Sequence, residues 1–377
     1  MSDNATMKNT TIHDMTTGSP ARLIMQFMIP MFLGNIFQQF YNIADSIIAG
    51  QFLGVRALAA IGSTGSLMFF VTGWLNGLSS GFAILVSQWF GAKEYERMRH
   101  YVAMSIYLSA GWAVLMTIGL GIANEPILRL MNYKDSIMPD VKAYMGIIYA
   151  GLIVTAAYNA LAAFLRALGD SKSPLYFLII SAVINVGLDV AFIIYGGMGV
   201  EGCAYATVIA QGISAVLSFS VLLRTLRGIK GDQDAALKTG TGSGWKHIFS
   251  MTELRTMTGI ALPSILQQST VSIGMMLVQS VVNSFGSQML AGYSAAMRVE
   301  SICVVPMSAM GNAISSYTAQ NIGAEQKDRV SEGYRAVTIM VLGFAAVICL
   351  ALELSGDSLA YLFLGADGTP AAMQTAV

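Results

Sequence analysis

Residues 87–94 read Ser87-Gln88-Trp89-Phe90-Gly91-Ala92-Lys93-Glu94, and residues 319–326 read Ala319-Gln320-Asn321-Ile322-Gly323-Ala324-Glu325-Gln326. Gln, Gly and Ala recur in register at an offset of 232 residues, and Arg97 then falls on Arg329. Working outward, Leu58-Ala59 matches Leu290-Ala291, Gly54 matches Gly286, and Pro30 matches Pro263 with a one-residue adjustment. An offset held over roughly 70 residues marks an internal repeat. Two copies of one membrane-spanning unit predict a two-lobed molecule, and such molecules are commonly transporters that rock one half against the other.

The chain is 55% hydrophobic and 11% charged, against about 25% charged for soluble domains. Apolar residues fall into nine blocks near the ~20 residues a span requires: 22–49, 57–90, 101–123, 143–166, 174–196, 202–224, 257–282, 290–320 and 336–354. This predicts an all-α polytopic membrane protein. Formal net charge is zero, so there is no basic footprint for nucleic acid. The first apolar block is too long for a signal peptide and reads as a retained span. Cys203, Cys303 and Cys349 all lie in apolar blocks and form no spaced framework, while His13, His100 and His247 lie outside them. Neither a disulfide set, a zinc site nor an enzyme's nucleophile–base–His arrangement is implied.

With the N-terminus in the cytoplasm, sixteen Lys and Arg fall on inside segments. Five (Arg56, Arg129, Lys134, Lys142 and Arg298) fall outside, which sets the orientation. The expected organisation is a cytoplasmic segment over 1–20 and a six-span N-lobe over 21–225. A polar linker follows over 226–255, then a C-lobe over 256–377 with three spans. An even number of spans in copy one gives both copies the same orientation, so the lobes are related by a pseudo-two-fold along the membrane normal. Val377 corresponds to about residue 145 of copy one, so the repeat predicts a second lobe shortened by three spans. A naturally nine-span chain is the alternative.

Ionisable residues inside the apolar blocks are few, and an intramembrane carboxylate marks a functional candidate by default. Asp45 lies on span 1 and Asp189 on span 5. Tyr41 stands four residues before the first and Asn185 four before the second, so each pair shares a helix face. At 1.5 Å per residue, Asp189 is about 22 Å up from Pro174, and Thr207 on span 6 about 9 Å down from the outer end. All lie in the outer half of the first lobe. This all-oxygen set suits a proton or Na+ and not a soft metal. Interhelical hydrogen bonding is the competing structural reading. Pro30, in span 1, can serve as a hinge or merely pack.

With these residues in view, the chain resembles the multidrug and toxic compound extrusion (MATE) family, and within it the DinF-like branch. The resemblance rests on Ile29-Pro30 through Tyr41-Asn42-Ile43-Ala44-Asp45 with Gly50, and on Leu165-Arg166-Ala167-Leu168-Gly169-Asp170-Ser171-Lys172-Ser173-Pro174. Asn185-Val186-Gly187-Leu188-Asp189 and Gln320-Asn321-Ile322-Gly323-Ala324 complete it. It implies two six-span lobes and H+- or Na+-coupled export of small organic, often cationic, compounds by a cell-membrane monomer without a cofactor. It also implies a cation site of Asp45, Asn185, Asp189 and Thr207, supported by Tyr41 and Asn159, with Pro30 as the bending point of span 1. Members of the NorM-like branch carry an acidic site in the second lobe, whereas here Thr256 to Met297 holds no charge and Val278 stands where copy one has Asp45. Two rival functions remain. A flippase for lipid-linked precursors favours cationic residues around the central cavity, and none is evident on these spans. A non-transporting receptor would carry a sizeable soluble domain.

Overall fold

The computed structural model describes residues 12–229, apart from 132, 134 and 136, then 250–283 and 287–364. Most of the expected interlobe linker therefore lies outside the described residues. Among those described there are helices and turns and no strand. In chain order they are α1 (Pro20–Ile48), α2 (Gly54–Ser63), α3 (Gly65–Gly91), α4 (Tyr95–Leu130), α5 (Met138–Ala150) and α6 (Leu152–Ala167). Then come α7 (Lys172–Val190), α8 (Val200–Gly228), α9 (Met251–Asn283), α10 (Ser287–Gly323) and α11 (Lys327–Leu364). Six helical stretches are each long and apolar enough to cross a membrane, and α5 with α6 would make a seventh. α9 and α10 coincide with the seventh and eighth apolar blocks. The outward faces of α4 and α11 expose Leu115, Ile118 and Ile122, and Ile339, Leu342 and Val347. In water such faces would be costly; against lipid they are at home.

Two expected spans are not single helices. The block at 143–166 is α5 and α6, bent by 52° about Gly151. A Cβ on Gly151 would come within 2.5 Å of a Val208 methyl, so glycine lets α8 press into the bend. The block at 57–90 divides at Thr64, whose hydroxyl donates to the Ile61 carbonyl at 2.7 Å and competes with the helical ladder. Pro30, by contrast, is buried within the unbroken α1.

The repeat is visible in the backbone. After α3, Glu94 N–H reaches the Trp89 carbonyl at 3.1 Å, and after α10, Gln326 N–H reaches the Asn321 carbonyl at 2.8 Å. Both turns put a non-glycine residue in the left-handed region at the same repeat position, Lys93 at φ 58° and Glu325 at φ 59°. This is the helix-ending geometry usually given to glycine. The turn after α6 closes the same way, with Gly169 at φ +88° and Asp170 N–H on the Leu165 carbonyl at 2.9 Å.

The two copies meet along stripes of small residues. Gly73, Gly77 and Gly81 on α3 face α9, where a Cβ at Gly77 would lie 2.9 Å from Ile265 Cα and one at Gly81 2.5 Å from Ala261 Cα. At the matching positions of copy two, Ala309 and Ala313 of α10 pack with Ile24, Phe27 and Met28 of α1. Small side chains let helix backbones approach closely. At the turns the contact is reciprocal: a Cβ on Gly91 would collide with the Gln320 carbonyl, and one on Gly323 with the Gln88 carbonyl.

Residues 13–18 run across this junction as a strap. His13 N–H donates to the Gly169 carbonyl at 3.2 Å, and Met15 N–H to Gln320 Oε1 at 3.0 Å. Arg329 holds the strap from copy two, donating to the Gly18 carbonyl at 2.9 Å, the Met15 carbonyl at 3.3 Å and Asn321 Oδ1 at 3.0 Å. Gln320 Nε2 and Ser87 Oγ both donate to the Ala167 carbonyl, at 3.0 and 3.2 Å.

Candidate cation site and central cavity

α1, α7 and α8 bring together the residues read from the sequence. Tyr41 Oη and Thr207 Oγ1 are 3.2 Å apart, and Asn185 Nδ2 donates to Thr207 Oγ1 at 3.5 Å. Asn185 and Asp189 are wholly buried. The Asp45 and Asp189 carboxylates lie beside each other: one oxygen of each, together with the Cys203 sulfur, falls within 4.8 Å of the other two. Asn159 is half-buried on α6 and makes no hydrogen bond to this group among the described residues.

Each aspartate sits just before a helix defect. A π turn over Ala49–Leu53 follows α1 and another over Ala191–Tyr195 follows α7, and the two turns touch. Ala49 N–H is shared between the carbonyls of Asp45 and Ser46. Such wide turns mark places where a helix departs from its ladder, frequently at functional sites.

Asp45 Oδ1, Asn185 Oδ1 and both Asp189 oxygens are buried without a donor. No Lys or Arg pairs with either aspartate among the described residues. The surrounding helices leave these oxygens without donors. Buried acceptors without donors are rare and costly, and several in one place leave room for a cation. A proton held between Asp45 and Asp189 would satisfy them, as would a hard cation among the oxygens.

Cys203 adds a sulfur to what reads from sequence as an all-oxygen set. It is wholly buried and one helical turn before Thr207, a spacing that could have revealed it. Tyr144 of α5 is also buried and lies near Tyr41 and Asp45; nothing in its sequence context signalled this.

A second feature lies between the copies, toward the strap. A cavity of about 50 Å³ is lined by α1, α3, α6 and α10, with Arg166 among Ser80, Ser87, Asn312, Ser315 and Ser316. This corrects the expectation that no cationic residue reaches the central cavity. Arg166, counted as an inside-end charge, is in the last turn of α6, where the turn at Leu168–Asp170 sets it beside the other copy.

The architecture is that of a multi-pass helical membrane protein with an acidic pair among its helices, Asp189 buried and Asp45 half-buried. The MatE family model matches residues 30–191 and 263–374. The probable multidrug resistance protein YpnP of Bacillus subtilis is 31% identical over 323 residues, covering 84% of this chain and 68% of that protein. The probable multidrug resistance protein YoeA of the same organism is 29% identical over 350 residues, covering 91% of this chain and 73% of that one. A solved structure described as the outward-facing conformation of a multidrug resistance MATE family transporter of the MOP superfamily superposes with a TM-score of 0.84 at 24% identity. It covers 98% of this chain and 80% of its own. The chain belongs to the MATE family, whose members are transporters and not enzymes.

Proposed function

We propose that the protein is an antiporter driven by H+ or Na+ that exports organic, drug-like compounds across the cell membrane by alternating access. The observation that carries this reading is the group of donor-less oxygens on Asp45, Asn185 and Asp189. Asp45 is set on a helix that also reaches the cavity. α1 bears Asp45 at one site and Met31 on the cavity wall, about 21 Å apart along its axis. An event at the carboxylates is thus mechanically connected to the substrate's surroundings through one element, with Pro30, next to Met31, as the point of bending.

In this reading residues 21–225 and 256–377 are the lobes, the N-terminus and the strap are cytoplasmic, and the protein works as a monomer. The described state is the one closed to the cytoplasm. Substrate enters the cleft from inside while Asp45 and Asp189 are occupied by one proton or ion. It leaves outward when a cation taken up from outside neutralises the pair and repacks α1. The cation does this work only to the extent that it binds one state better; swinging a 1:99 mixture to 99:1 requires a difference of about 5.5 kcal/mol. Asp189→Asn keeps the size of the side chain and removes its charge. In vesicles bearing the protein, this variant should lose drug movement driven by either a proton or a Na+ gradient. Gradient-driven transport at the normal rate would overturn the assignment.

A further inference from the structure

Arg166 is the charged side chain of the central cavity, and it is unpaired: among the described residues no carboxylate lies within ion-pair distance and no hydrogen bond engages it. Its neighbour in sequence, Asp170, is engaged elsewhere, accepting from Lys172 N–H at 3.1 Å, Ser173 N–H at 2.9 Å and the Ser173 hydroxyl at 2.6 Å. Other arginines at helix junctions have carbonyl partners: one terminal nitrogen of Arg99 donates to the Leu226 and Ile229 carbonyls, and Arg329 holds the strap. A half-buried guanidinium set between helices without a counter-charge presents its donors to whatever enters the cavity.

The rest of the lining agrees. Ser80, Asn312, Ser315 and Ser316 border the same cavity, and none of their side chains is engaged in a hydrogen bond among the described residues. They come from α3 of one copy and α10 of the other, facing Arg166 from α6. Hydroxyl and amide donors around a planar, five-donor cation form a receptor for an oxyanion, which a guanidinium can bind through two parallel hydrogen bonds. Met31, Ala83 and Ile84 supply apolar wall beside it. The acidic pair is remote and belongs to the coupling site, so it does not neutralise this charge.

We propose that the central cavity binds the anionic group, carboxylate or phosphate, of an amphipathic organic substrate through Arg166. Substrates of this transporter thus include zwitterions and anions, and not only organic cations. Seating the oxyanion against Arg166 also places it across the junction of the two copies, so that it is released when that junction rearranges. The role in export rests on the antiporter reading; the binding does not.

The test uses purified protein in detergent, without any gradient, and two dyes that share one fluorophore. Rhodamine 19 carries a free carboxylate and rhodamine 6G its ethyl ester. The wild type should bind rhodamine 19 more tightly by about tenfold, the scale of one charge-assisted pair. Phenyl phosphate and benzoate are added as competitors, phenol as the neutral control. Stronger competition by phenyl phosphate identifies phosphate, and by benzoate carboxylate; either supports the site. Arg166→Gln should abolish the preference, and Arg166→Lys should keep a part of it, since a point charge replaces the fork. If Arg166→Gln fails to fold, Asn312→Ala and Ser315→Ala must weaken rhodamine 19 selectively. Equal affinity for the two dyes in the wild type, or a preference that survives Arg166→Gln, overturns the proposal. A preference for the anion in a protein that shows no gradient-driven transport would leave this site standing and remove the antiporter reading instead.

Discussion

Replacing Gly91 and Gly323 by alanine tests whether the repeat's own turns hold the two copies together at the strap. Each added Cβ would meet a backbone carbonyl of the opposite copy, Gln320 for Gly91 and Gln88 for Gly323. A carbonyl at a helix end cannot swing aside as a side-chain tip can, so the copies must separate locally. Overpacking of this kind costs about 1–3 kcal/mol. The cost falls only on the conformation in which the turns touch. Each substitution should therefore shift the closed-to-open ratio at this end by about 5- to 150-fold, and the two together by more. Spin labels at Glu96→Cys and Asp328→Cys, both exposed and repeat-related, in a background with the native cysteines changed to serine, report the separation by pulsed electron resonance. The parent should show one short distance, and Gly91→Ala and Gly323→Ala a growing long component. Gly343→Ala, where an added Cβ meets nothing within 4 Å, should change nothing. A folded Gly91→Ala, Gly323→Ala double variant with the parental distance would refute the reasoning.

Other expectations concern single contacts. Because Cys203 shares the acidic pair's neighbourhood, Cd2+ should inhibit transport and produce a thiolate charge-transfer absorption, and Cys203→Ser should remove both. Arg329→Ala strips three hydrogen bonds from the strap and its anchor, at about 1.5–3 kcal/mol for bonds to a charged group. Amide hydrogen exchange over residues 13–18 should accelerate by at least tenfold while exchange in α7 stays unchanged. Gly151→Ala should lower thermal stability by about 1–3 kcal/mol through its clash with Val208, and Val208→Ala in the same chain should recover most of the loss; no recovery would mean that the bend, not the contact, needs glycine.

Asp45, Asn185, Asp189, Thr207 and Tyr41 could be named in advance because a charge in an apolar run is conspicuous, and helical spacing tells which neighbours share its face. Whether these groups bridged helices or awaited a cation was not legible. That depends on donors supplied or withheld by other helices, which here leave both Asp189 oxygens without one. Cys203 and Arg166 escaped for opposite reasons. A cysteine in an apolar run is unremarkable until a neighbouring helix presents it to two carboxylates. Arg166 looked like an ordinary inside-end charge because topology counting locates a residue along the membrane normal and says nothing about which way it faces. The bend at Gly151 was hidden because apolar content does not distinguish one helix from two.

The repeat that includes Ser87 and Ala319 was determined by sequence alone, and so were the helical, membrane-spanning character and the candidate acidic pair. These follow from local composition and spacing, which a chain carries whatever its neighbours do. Only the tertiary structure decided what the repeat is for. The two matching turns end their helices with the same hydrogen bonds and the same left-handed residue, and then press their glycines against each other's carbonyls. It also decided that one arginine would face the space between the copies without a partner. Contacts of this kind depend on helices distant in sequence arriving at one place, and no pattern within a single helix contains that information.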